Sequence, residues 1–218
     1  MSKIIVDTIE STGATVTVND ALSAGTNAIT AGSVTGLTAA SITSGTLGAG
    51  ATVGNASLSA GTIIQVVTVV KSDIDVMTQA ADTYTTVMTG TITPSSTSNH
   101  ILIFVNMAFS QDSARYANLH LYRDSTQVGL ADADGSRTRA MVSTNTSGSS
   151  DAQHTNFSSA MTFKDSPSST SALSYTLRLG SINAPSGNQL IVNSSGDNVN
   201  SSYTVASISN LILMEVKG

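Results

Sequence analysis

Few residues in this sequence could carry chemistry. The three histidines, His100, His120 and His154, stand far apart and form no i, i+2 or i, i+4 pair able to grip a metal. They read as ordinary strand or surface histidines. Asp132-Ala-Asp134-Gly135 opens like a calcium loop, but Ser136 occupies the third ligand position and Ser143 the place of the terminal Glu. A turn whose Asp-Gly supplies a positive φ is the stronger reading; an irregular calcium site at a loop is the alternative. Asp132, Asp134 and Asp151 could supply a carboxylate pair for glycan cleavage. Such sites need long grooves lined with aromatics, and the chain has five Tyr, four Phe and no Trp. No Gly-x-Ser-x-Gly elbow occurs. The expectation is a protein without enzymatic activity, cofactor or metal. Arg137 and Arg139 sit on alternate positions of a predicted strand. They are either surface cations paired with Asp132 or Asp134, or contacts to an anionic surface glycan or a neighbouring subunit. The Ser-, Asn- and Gly-rich stretches 145–153 and 193–202 could hydrogen-bond sugars or be plain loops.

The elements that must position these residues follow from composition and pattern. Only 11% of the 218 residues are charged, well under half the usual share. Ser and Thr make up about 30% of the chain, so hydroxyls replace Lys and Glu on the surface. The hydrophobic content of 40% falls in short runs, which argues against a disordered polar tail. A net charge of −5 with nine scattered basic residues supplies no stripe for a phosphate backbone, so nucleic acid is not an expected partner. There is no cysteine, hence no disulfide and no thiolate metal site. The opening residues lack the apolar run of a signal peptide, and no stretch approaches the roughly 20 apolar residues of a membrane helix. Synthesis and retention in a cytoplasm are expected unless another route, such as lysis, exports the protein.

Three regions separate. Residues 1–21 form a short β-prone segment, with Ile4, Ile5, Val6 and Ile9 before a Ser-Thr-Gly turn and the alternating Ala14-Thr-Val-Thr-Val18. Residues 22–61 carry a repeat: Leu or Ile, Ser/Thr, Ala/Ser, Gly, Ser/Thr. It occurs as Leu22–Thr26, Ile29–Ser33, Ile42–Thr46 and Leu58–Thr62, with Leu37–Ser41 replacing the Gly by Ala. From Ala21 to Val70 there is no charged residue. Single aliphatics every five to eight residues cannot enclose a core within one chain. Three chains wound together could bury them, with Gly and Ala allowing close approach. The expected core of such a trimeric shaft is Leu22, Ile29, Val34, Leu37, Ile42, Leu47, Leu58 and Ile63. A flexible Gly/Ser/Thr linker is the plain alternative, but linkers do not fix aliphatics at motif positions.

Residues 62–218 change texture. Ten strands are predicted, over 63–70, 85–93, 101–109, 117–122, 127–131, 139–143, 156–163, 171–182, 189–193 and 203–216. Turn-formers such as Arg123-Asp-Ser and Asp165-Ser-Pro separate them. This is an antiparallel β-sandwich, with a strand number closer to a jelly roll than to an immunoglobulin domain. Leu119 and Leu121 share a face, as do Tyr175, Leu177 and Leu179. Ile101–Val105 and Leu211–Met214 are continuous enough to be buried on both sides, one of which could be a subunit interface.

These residues resemble a known group. Ser2-Lys-Ile-Ile-Val-Asp-Thr-Ile-Glu10 is similar to the opening of structural proteins from tailed phages of marine bacteria and cyanobacteria. The later part resembles the distal domain of phage fibres, through Leu121-Tyr-Arg-Asp-Ser125, Asp132–Arg139, Asp165-Ser-Pro167 with Tyr175, Ile191-Val-Asn-Ser-Ser195 and Leu211–Val216. The resemblance implies an all-β virion fibre. Residues 1–21 would anchor it to other virion proteins through Ile4, Ile5, Val6 and Ile9. A homotrimeric shaft would follow, then a sandwich head meeting a host-surface glycan or decorating the capsid. Assembly in a bacterial host cytoplasm goes with it. A free ice-binding or adhesive protein is a weaker alternative, because the Thr spacing is irregular.

Overall fold

A computed structural model describes residues 58–112, 116–145, 155–182, 187–202 and 204–218. The anchor residues, the shaft residues from Leu22 to Leu47, Asp151 and His154 lie outside the described residues. The described chain is all-β. Its strands are β1 (Ile63–Lys71), β2 (Asp75–Gln79), β3 (Tyr84–Ile92), β4 (His100–Gln111), β5 (Tyr116–Arg123) and β6 (Thr126–Val128). They continue as β7 (Val142–Asn145), β8 (Phe157–Asp165), β9 (Leu173–Ile182), β10 (Asn188–Val192) and β11 (Ser209–Val216).

Every pairing is antiparallel. The first sheet runs β1-β11-β4-β8, and the second runs β3-β9-β5 with β6 and β7 in tandem on the far edge of β5. Phe109 of β4 faces Val192 on one side and Phe157 on the other, so β10 continues the β11 edge of β4 and carries β2 outside it. From β3 to β5 and again from β8 to β10, the chain crosses between sheets at each step, and β11 then follows in the first sheet. Early and late strands interleave, as in a jelly roll. The described strands therefore form a jelly-roll β-sandwich.

Period-two patterning builds the core. Ile101, Ile103 and Val105 of β4 and Leu211 and Leu213 of β11 meet Leu119 and Leu121 of β5 and Tyr175, Leu177 and Leu179 of β9, all excluded from solvent. Gly90 on β3 lies where the sheets approach closely. A methyl there would sit 3.1 Å from a Leu213 Cδ1 and 3.2 Å from a Val69 Cγ2.

The structure corrects several expectations. Ile101–Val105 and Leu211–Met214 are enclosed on one side only: Leu102, Phe104, Ile212 and Met214 alternate outward and are half-buried. Register sets Met214 and Ile212 between Leu102 and Phe104 of β4 and Val66 and Thr68 of β1. Val66 and Val70 are 51% and 56% exposed, so the outer face of the first sheet is an apolar strip. The edge strand β2 escapes the sequence because its five residues begin with an acid and pair only with the distant β10. β11 begins at Ser209 and β7 at Val142, later than their hydrophobic patterns suggest. Apart from these corrections, Ile63, one of the residues expected in a shaft core shared among copies, opens β1 opposite Val216 and is 52% exposed in the single chain; Leu58 is half-buried.

Three buried polar clusters fasten the fold, the first of them across the two sheets. Arg123 Nη1 of the second sheet donates to both carboxylate oxygens of Asp165 on β8 at 2.8 Å, and the Tyr175 hydroxyl donates to Asp165 Oδ2 at 2.7 Å. Glu215, wholly buried, accepts from Asn99 Nδ2, the Ser95 amide and Gln65 Nε2, each at 2.6 Å. Asn193, at φ 64°, donates to the carbonyls of Lys71 and Asp73 at 2.9 Å and accepts from Ser209 Oγ at 2.6 Å. Isolated buried charges and amides are costly, and each of these is compensated by several bonds.

Candidate functional site

On β5 the inward Ala117, Leu119 and Leu121 alternate with outward Asn118, His120 and Tyr122. Outward side chains of this size on a sheet need neighbours of matching shape. The facing residue of Asn118 on β9 is Gly180, which also pairs with Tyr84 of β3. A Cβ at Gly180 would collide with the Tyr84 ring and the Thr83 carbonyl, so the absent side chain makes room for that ring. Tyr84 thereby lies over His120, with ring centroids 4.1 Å apart and an interplanar angle of 21°. Tyr122 stands 6.4 Å beyond, tilted by 38°. The guanidinium carbon of Arg178 lies 4.0 Å from the Tyr122 ring centre, a cation–π contact.

The segment between β6 and β7 walls one side of this aromatic row. Its fold is held by Arg139 Nε donating to the Ala131 carbonyl at 2.5 Å, by Gln127 Nε2 donating to the Arg139 carbonyl at 3.2 Å, and by the Met141 amide donating to the Leu119 carbonyl at 2.9 Å. Gly135 takes φ 56°, as the Asp-Gly turn reading requires. The result is an open groove of about 480 Å³. Tyr84, His120 and Tyr122 line it together with Gln127, Leu130, Arg137, Thr138, Arg139 and, on the opposite rim, Asp82.

Burial lowers the His120 pKa, so the imidazole is neutral at pH 7. Burial, reinforced by the Asp82 charge, raises the Tyr84 pKa and keeps its hydroxyl protonated. His120 is 5% exposed and neither ring nitrogen has a hydrogen-bond partner among the described residues. The groove thus offers neutral aromatic surfaces, guanidinium donors, an amide, a hydroxyl and one carboxylate. That set suits binding a polar ring. A larger cavity of about 560 Å³, lined by Ala108, Asn156, Ser158, Ser195, Val205, Ser207 and Ile208, has no titratable group among the described residues.

Both sequence-predicted arginines line this groove. Arg137 is a surface cation paired with Asp134 at 2.7 Å, and it also lines the groove beside Arg139. His100 stands elsewhere, its Nδ1 3.0 Å from Ser166 Oγ. Among the described residues no three His, Asp or Glu side chains gather as a metal site. Sequence reasoning missed Tyr84, His120, Tyr122 and Gly180. The one available signal was the run of large polar residues on the outward positions of β5.

The fold and groove define a jelly-roll β-sandwich with an open polar cleft. No protein-family model matches the chain, and no curated protein does. Among solved structures, infectious bursal virus-derived T=1 particles match at 13% identity and a TM-score of 0.38, over 71% of this chain and 36% of that one. The infectious bursal disease virus Gt strain matches at 13% identity and a TM-score of 0.39, over 73% and 43%. The VP2 subviral particle of the same virus matches at 13% identity and 0.33, over 69% and 40%. This chain thus spans well under half of each protein matched. At these scores the likeness carries no argument for function.

Proposed function

We propose that the chain is a virion structural protein: a homotrimeric fibre fixed to the particle through residues 1–21, with a shaft over 22–61 and a jelly-roll head that attaches to the host surface. One observation carries the reading. The uncharged repeat spaces single aliphatics from Leu22 to Leu58 so that only other copies can shelter them, and it leads into a sandwich domain. The apolar outer strip of Val66, Leu102, Phe104, Ile212 and Met214 supports self-association, since one chain leaves it uncovered. The polar aromatic groove on the opposite sheet supports attachment. Light scattering on the full-length protein should give three times the chain mass; a monodisperse monomer refutes the fibre. Particles carrying residues 1–61 alone should keep the truncated protein but lose adsorption. Normal adsorption would make the head decoration.

A further inference from the structure

His120 is a misfit in an ordinary sheet. It is 5% exposed, both ring nitrogens lack partners among the described residues, and it lines an open groove. A buried imidazole without hydrogen bonds costs stability that the described structure does not return. Arg178 Nε, on the same sheet face, is also buried without a partner among the described residues. The unmet nitrogens of an imidazole that lines the groove point to an occupant that carries hydroxyl groups.

The groove wall narrows the chemistry. Tyr84 and Tyr122 present flat ring faces, which pack against the C–H face of a pyranose. Arg137 and Arg139 stand together on one side, in a chain whose net charge is −5. Guanidinium groups bind carboxylates through paired, planar hydrogen bonds. Gln127 and Thr138 can donate to ring hydroxyls and Asp82 can accept from them. Inorganic phosphate would leave the aromatic faces unused. A polynucleotide would meet Asp82 and the negative net charge. The volume of about 480 Å³ falls within the range of small-ligand sites.

We propose that the groove formed by Tyr84, His120, Tyr122, Arg137, Arg139 and Asp82 binds a sugar ring bearing a carboxylate. The proposal deepens the attachment reading and rests on it for its biological setting. Uronic acids and sialic-type acids share this chemistry, so both serve as probes.

The test is calorimetric titration of the full-length protein with trigalacturonate, with a sialic-acid trimer and with neutral galactotriose. At least one acidic probe should bind roughly tenfold more tightly than the neutral one. Tyr122→Ala and Arg137→Gln, the latter at an exposed side chain, should each weaken that binding roughly tenfold, with cooperative unfolding and solution mass retained. Equal affinity for acidic and neutral trimers, no binding of either acid, or full affinity in both variants overturns the proposal. Tighter binding of a single-stranded oligonucleotide than of the acids also overturns it. Adsorption of particles separates the two readings. If loss of the head abolishes adsorption while Tyr122→Ala particles adsorb normally, the groove assignment fails and attachment stands. If headless particles adsorb normally, attachment fails whatever the titration shows.

Discussion

Removing the Asp165 carboxylate tests whether the two sheets are pinned as the geometry indicates. Asp165 is 7% exposed and accepts two bonds from Arg123 and one from the Tyr175 hydroxyl. Asp165→Ala strands a guanidinium and a phenol between the layers. Breaking a fully buried pair costs about 3–5 kcal/mol. The Arg123 side chain is 26% exposed and recovers some hydration, which places the expected loss near the lower end, about 3 kcal/mol. Tyr175→Phe removes one bond to a charged acceptor, about 1.5–3 kcal/mol. Once Asp165 is gone the phenol has little left to lose, so the double variant should fall short of the sum by about 1–2 kcal/mol. Urea unfolding at pH 7 and fixed protein concentration reads all three, because self-association would otherwise shift the midpoints. Additive losses, or a cost below about 1 kcal/mol for Asp165→Ala, would refute the pin.

Three further outcomes follow from the same structure. Burial alone would raise the Glu215 pKa, but bonds from Asn99, Gln65 and Ser95 outweigh it and hold the carboxyl below its ordinary value. Its stabilisation is therefore complete above the ordinary glutamate value and lost as pH falls through the lower folded value; Glu215→Gln should cost about 1–3 kcal/mol at pH 7 and progressively less in acid, read by urea unfolding across pH. Gly180→Ala should push Tyr84 off His120 at a cost of about 1–3 kcal/mol, and the His120 pKa, lowered in the native protein by burial, should rise toward its ordinary value in an imidazole NMR titration. An unchanged titration would refute the stack. Phe104→Lys places a charge at the centre of the apolar strip and should lower the solution mass by light scattering; an unchanged trimer mass would exclude that strip as an interface.

Much of the fold was legible because strand patterning is local. Leu119 with Leu121, and Tyr175 with Leu177 and Leu179, point inward as their spacing predicts. The motifs that resemble phage fibre heads were legible as short runs, yet their role was not. Arg123 in Leu121–Ser125, Asp165 with Tyr175, Asn193 in Ile191–Ser195 and Glu215 in the last strand are the buried pins. They mark how the sandwich is fastened and say nothing of a ligand. Of the groove, the sequence singled out Arg137 and Arg139 by their charge alone.

Taken by itself, the sequence determined the β class, the inward faces of β5 and β9 and the chemical neutrality of the repeat, since these depend on residues a few positions apart. Tertiary structure alone decided which sheet each strand joins, that Leu102, Phe104, Ile212 and Met214 face outward, and that Gly180 admits the Tyr84 ring beside His120 and Tyr122. Those outcomes depend on register between strands roughly a hundred residues apart in the chain, and no local pattern encodes which distant backbone a given strand will meet.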